Sequence, residues 1–103
     1  MGNSLEDLRD FPEAAQDDAG FELYQVQAGN EPSDWKPMPD IGSGVGEIRI
    51  RDRAGIFRVF YVAKFFEVVY VLHCFQKKTQ QTASRDIEIG RTRFRLLLKE
   101  RGR

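Results

Sequence analysis

Apolar and polar residues alternate most clearly in the middle of the chain, where three strand-length runs stand between helical stretches. From Val45 to Asp52 the period is two, placing Ile48 and Ile50 on one face and Glu47, Arg49 and Arg51 on the other. That pattern predicts a strand with one charged side. Ile56 to Lys64 and Glu67 to Phe75 are nearly continuous runs of β-branched and aromatic residues, the composition of central strands in an antiparallel meander. Arg53-Ala54-Gly55 predicts a tight hairpin between the first two runs, and Phe65-Phe66 must turn the chain between the second and third.

Helical spacing flanks this core. Ser4 stands as an N-cap ahead of Leu5 and Leu8, and Pro12 closes that turn and serves as the first residue of a second helix reaching about Ala28. In it Phe21, Tyr24 and Ala28, flanked by Leu23 and Val26, recur at helical intervals, while Glu13, Asp17, Asp18 and Glu22 form an acidic face predicted to meet solvent. Gly29-Asn30 ends it. Between Glu31 and Gly46 three prolines and three glycines predict a long loop without regular structure, pinned to the core by Trp35. After the polar run KKTQQTAS, Ser84 predicts the N-cap of a last helix with Asp86 in its first turn. Ile87, Phe94, Leu97 and Leu98 would face the sheet, and Arg91, Arg95, Lys99 and Arg103 would line another face at four-residue steps. Gly90 is expected to cost this helix about 1 kcal/mol. The predicted fold is α+β: two N-terminal helices, a small antiparallel β-meander of three main strands, and a C-terminal helix.

Length and composition narrow the chemistry. At 103 residues the chain is expected to be a single domain with one modest core and one small site. One cysteine, Cys74, and one histidine, His73, are too few for a disulfide framework or a usual metal cage, which points to a reduced, cytoplasmic protein without metal or cofactor. The apolar runs are of strand length and the start MGNSLEDLRD has no signal-peptide pattern, so no membrane association is expected. The formal net charge of zero conceals a split: residues 1–43 carry ten acids against two bases, and residues 44–103 carry six acids against fourteen bases. Such asymmetry points to nucleic-acid contact by the basic part, or to segregated solvated faces.

The residues between Glu47 and Lys78 are suited to RNA cleavage without a metal. That reaction needs a proton taken from a 2′-hydroxyl, charge stabilised on phosphoryl oxygens, and a proton given to the leaving 5′-oxygen. Arg49 and Arg58, on neighbouring predicted strands, are the candidates for clamping phosphate, because a planar guanidinium contacts two oxygens at once. His73 titrates nearest neutrality and is the candidate proton shuttle; Lys77 or Lys78, each within a cluster of cations that lowers its pKa, is the other. Arg51, Arg53, Arg91 and Arg95 would add phosphate contacts, and Tyr61 or Phe75 could stack on a base. Each has a structural alternative: His73 as a core histidine, Arg49 paired with Glu47 or Glu67, Tyr61 and Phe75 as core, the lysines as loop solubilisers.

The ordered pattern of Glu47, Arg49, Arg51, Gly55 and Arg58, then Tyr61, then Leu72, His73, Phe75, Lys77, Lys78 and Thr82, ahead of a C-terminal helix, resembles the phage-derived Gp49-like branch of the RelE/HigB toxin superfamily. The resemblance covers most of the chain. It implies a RelE-like fold and the toxin of a type II toxin–antitoxin pair, an endoribonuclease that cleaves mRNA on the ribosome and inhibits translation. It also implies a helix-turn-helix, HigA-like antitoxin as partner, with operator DNA reached only through the antitoxin complex. Relatives usually begin with a short strand, whereas only three residues precede Ser4 here, so the usual first edge strand is expected to be absent. An inactive toxin remnant, or a nucleic-acid- or antitoxin-binding module without catalysis, is the alternative that this departure implies.

Overall fold

A computed structural model describes residues 4–65, 68–77 and 84–102 of the chain. Helices α1 (Ser4–Arg9) and α2 (Glu13–Gln27) lead to strands β1 (Trp35–Pro37), β2 (Val45–Asp52), β3 (Gly55–Phe65) and β4 (Val68–Lys77), and helix α3 (Ser84–Arg101) follows. The strands form one antiparallel sheet in the order β1-β2-β3-β4. The α+β class expected from the hydrophobic pattern is therefore observed, with one strand more than expected. β1 lies inside the stretch predicted to lack regular structure: its three residues pair with Gly46–Ile48 at the sheet edge, where Pro37 needs no outward hydrogen bond. The strand expected to be missing ahead of Ser4 falls on residues 1–3, outside the described residues.

Side chains leave the sheet in two directions and build two cores. Ile48, Ile50, Phe57, Val59, Tyr61 and Cys74 pack with Phe11, Ala15 and Ala19 of the N-terminal helical region. On the opposite face Val45, Phe60, Val62 and Leu72 pack with Met38, Ile41 and, from α3, Phe94 and Leu97. Burial raises the Cys74 thiol to about 12, with Asp7 adding to the shift, so this cysteine is not a reactive group.

Several local expectations are corrected. In α2 the stripe toward the sheet is Ala15, Ala19 and Glu22, with Leu23 and Val26 at its margin, whereas Phe21 and Tyr24 are 58% and 65% exposed. Small alanines let the helix lie close to the sheet, and the aromatic rings are turned outward. Glu22, expected in solvent, is buried because its carboxylate accepts from the Ser33 backbone N–H and hydroxyl. Helix α2 ends as the Gly29-Asn30 signal predicts: Gly29 takes a φ of 92°, Gly29 N–H donates to Val26 and Asn30 N–H to Gln25, a Schellman pair. Pro12 precedes the first helical residue instead of being it, and Ser4 and Ser84 are first helical residues instead of caps. Phe65 extends β3 and pairs with Val68; Phe66, the other half of the expected turn, and Glu67 lie outside the described residues.

In α3, Ile87, Phe94 and Leu97 face the sheet as predicted, but Leu98 is exposed. Gly90 is better explained by contact than by a propensity defect: a Cβ there would meet Phe60 at 3.0 Å and Ile41 at 3.1 Å, so the absence of a side chain lets α3 approach the sheet.

The register of β4 contains a β-bulge. Val71 is opposite Tyr61, whereas His73 is opposite Phe60, so the parity of the strand changes between them. Val71 packs with the α1/α2 core, and beyond the bulge Phe75 packs with the α3 core and lies opposite Arg58. Lys77, opposite Ile56, follows onto the same face.

Candidate active site

Helix α3 covers only part of its face of the sheet, and the rest is charged. On β2, Glu47 and Arg49 stand two residues apart, and Arg49 is directly opposite Arg58 of β3. Two like charges opposite each other repel. Glu47 resolves the conflict: it is fully buried, accepts a hydrogen bond from Arg58 Nη1, and lies 3.5 Å from Arg49 Nε. Its cross-strand partner on β1 is Lys36, and Phe75 borders the group beside Arg58. Lys77 completes it. The Lys77 ammonium is held below its ordinary value, first by partial loss of water and then by the Arg58, Arg49 and Lys36 charges, with Glu47 opposing.

Buried carboxylates rarely stand inside a cationic group without a structural role. Glu47 fixes two guanidiniums in place, and positioned guanidiniums are what a phosphoryl group with growing negative charge requires. Arg49 is further tied to Asp34 at 3.5 Å and remains 29% exposed at its side chain, so it faces solvent while Arg58 is almost fully covered.

The other expected site residues are distributed as follows. His73 is buried away from the cationic group, its ring stacked on Phe75 at 4.9 Å. Its Nε2 is 2.8 Å from Asp86 Oδ1, and its Nδ1 faces Arg93 Nη1 at 3.5 Å and Asp7 Oδ2 at 3.8 Å. Asp86 selects the Nε2–H tautomer, and the ring ties α1, β4 and α3 together. Tyr61 lies on the opposite face, against Gly46, with its hydroxyl raised to about 12 by burial and by Glu31. Arg51 is exposed and pairs with Asp34 at 3.6 Å; Arg53 is exposed in the β2–β3 turn. Arg91 bonds Glu88 and the Asp40 carbonyl, fastening α3 to the chain after β1, and Arg95 is exposed on α3. Lys78 and Thr82 lie outside the described residues. The structure thus joins Arg49, Arg58, Lys77 and Phe75, and separates His73 and Tyr61 from them.

A family comparison now has a geometry to meet. The model of the phage derived protein Gp49-like family (DUF891) matches residues 6–95, nearly the whole chain. The chain belongs to the Gp49-like family. No curated protein matches it. Membership of the Gp49-like family is consistent with a phage-derived, toxin–antitoxin related protein. Among the described residues, no helix is long and apolar enough to cross a membrane.

Sequence reasoning did not count Glu47 and Lys36 among the functional residues. The signal for Glu47 was present: its alternation with Arg49 and Arg51 puts it on the charged face, where an acid amid bases has to be paired. Lys36 gave none, because it was read as part of a loop.

Burial dominates the lowering of the His73 pKa below its ordinary value near 6.5; Arg93 lowers it too, while Asp86 and Asp7 raise it. As pH falls through 6.5 the unfolded chain therefore takes up a proton that the folded chain resists, and stability declines. His73→Gln is expected to flatten the dependence of Tm on pH between about 7 and 5. An unchanged slope in thermal melts would remove His73 from this role.

Proposed function

We propose that this protein is the toxin of a type II toxin–antitoxin pair, a RelE-like, metal-independent endoribonuclease that cleaves mRNA on the ribosome and inhibits translation in the cytoplasm. The observation that carries the reading is the Glu47-held pair of guanidiniums beside a lysine of lowered pKa on the uncovered part of the sheet. Arg49 and Arg58 stabilise the charge that develops on the phosphoryl oxygens, and Glu47 is a positioning residue that aligns both. Lys77 moves a proton, toward the leaving 5′-oxygen or from the 2′-hydroxyl, because its cationic neighbours ease deprotonation. Phe75 borders the group and offers a ring edge to a nearby base. The partner is a helix-turn-helix antitoxin of the HigA kind whose acidic segment would cover the basic face; operator DNA is reached through that complex.

One observation favours a second reading, a nucleic-acid- or antitoxin-binding module without catalysis. Arg58 is only 4% exposed and already bound to Glu47, as in a structural ion pair. Incubation of the purified chain, alone and with ribosomes, with mRNA in excess chelator separates the two. Cleavage leaving 5′-hydroxyl ends and cyclic or 3′-phosphate ends, abolished by 2′-O-methylation at the cut, is expected. RNA that is bound but never cut would select the second reading.

A further inference from the structure

We propose that the cleft between α2 and the free end of β2 is a guanine-recognition subsite, in which Phe21 stacks on the base, Asp18 reads its Watson–Crick edge and Arg51 its O6/N7 edge. The inference rests on the reading of the cationic face as an RNA-cleaving surface and extends it to base choice.

The cleft has a volume of about 270 Å³ and is lined by Asp18, Phe21, Ser33, Arg49 and Arg51 among others. This is at or below the lower end of pockets for drug-sized ligands, roughly 300–1,000 Å³, and suits a single planar ring system. β1 pairs only with Gly46–Ile48, so β2 continues past it and the cleft opens along that uncovered stretch. Arg49 lines the cleft and also contacts Glu47 in the cationic group, so the two places are continuous. An RNA strand held by its phosphates on the sheet would bring an adjacent base over the end of β2.

The lining is selective. Asp18 and Phe21 are three residues apart on α2 and therefore share a helix face. The Phe21 ring is 58% exposed on a helix whose sheet-facing stripe consists of small residues, so it contributes little to the core and is available for stacking. The other carboxylate of the cleft, Glu22, is occupied by Ser33, which leaves Asp18 as the available acceptor. An ionised carboxylate only accepts hydrogen bonds, and guanine is the base that offers two donors side by side, N1–H and the N2 amino group, on one edge. Its next edge presents O6 and N7, the acceptors an arginine reads with both arms of its fork. Arg51, 73% exposed at its side chain, is held by Asp34 at 3.6 Å, and an exposed ion pair of this length exchanges readily for a base contact. Adenine and cytosine place an acceptor where Asp18 needs a donor, and uracil offers one donor between two acceptors.

The test uses DNA-sugar hexamers, which lack the 2′-hydroxyl and stay uncut, carrying one guanine, adenine or cytosine in an otherwise uniform thymine background, with binding read by fluorescence anisotropy. The wild-type chain is expected to bind the guanine hexamer about tenfold more tightly than the others. Asp18→Asn and Phe21→Ala are each expected to erase that preference while the weaker, base-independent binding persists, and Lys77→Ala to weaken all hexamers alike. Equal affinity for the three hexamers, or a guanine preference that survives Asp18→Asn, overturns the subsite. Guanine preference in a chain that leaves ribo-hexamers uncut keeps the subsite and sinks the cleavage reading; cutting without base preference does the reverse.

Discussion

Replacement of Lys77 by alanine is expected to lower the rate of RNA cleavage by about a hundred- to ten-thousandfold, the usual worth of a positioned proton-transfer group. Tm should move by no more than about 2 °C, because Lys77 sits at the margin of the sheet and anchors neither core. Lys77→Arg sharpens the test: it retains the positive charge but cannot release a proton near neutral pH. RNA binding should then be nearly normal and cleavage as low as in Lys77→Ala, as measured under single-turnover conditions. Full activity in Lys77→Arg would show that this position supplies charge alone and would move the proton transfer elsewhere.

The second large effect concerns stability. Glu47→Ala removes a fully buried carboxylate that Arg58 donates to and Arg49 approaches, leaving two cations facing each other across β2 and β3. Breaking a buried pair in this way costs about 3–5 kcal/mol, a large part of the stability of a domain this size. Urea unfolding should show it as a lower midpoint with an unchanged slope. The double replacement Glu47→Leu with Arg58→Met removes both charges and is expected to recover most of the loss, since an apolar pair of similar volume is often no less stable than a buried ion pair. It should nonetheless be inactive. A Glu47→Ala chain losing less than about 1 kcal/mol would mean that Glu47 does not organise this face.

The parts of the fold that were legible in the sequence are those in which a local signal is also the deciding one. The period of two in β2 fixed which residues share a face, and Gly29-Asn30 fixed the end of α2. Arg49, Arg58 and Lys77 were legible as a group because cations interleaved with apolar residues on adjacent strands have few places to go. What stayed hidden depends on long-range pairing. β1 carries two of the chain's composition signals against regular structure, one at Pro37 and one in its glycine-rich surroundings, and exists because β2 offers it an edge. The outward turn of Phe21 and Tyr24 follows from how closely α2 must approach the sheet, which no window of its own sequence records. His73 is the instructive case. Strict alternation grouped it with Val71 and Phe75, whereas the bulge separates Val71 from the other two.

That bulge has a consequence for how the protein tolerates insertions and deletions. Removal of one residue between Val71 and His73 would leave a regular strand able to pair along its whole length with β3, with all its hydrogen bonds made. Yet every side chain after the deletion would exchange sides: Lys77 would leave Arg58 for the α1/α2 core, and Cys74 would come out beside the arginines. A single lost codon, without any change at the cationic residues themselves, would therefore take the lysine out of the site.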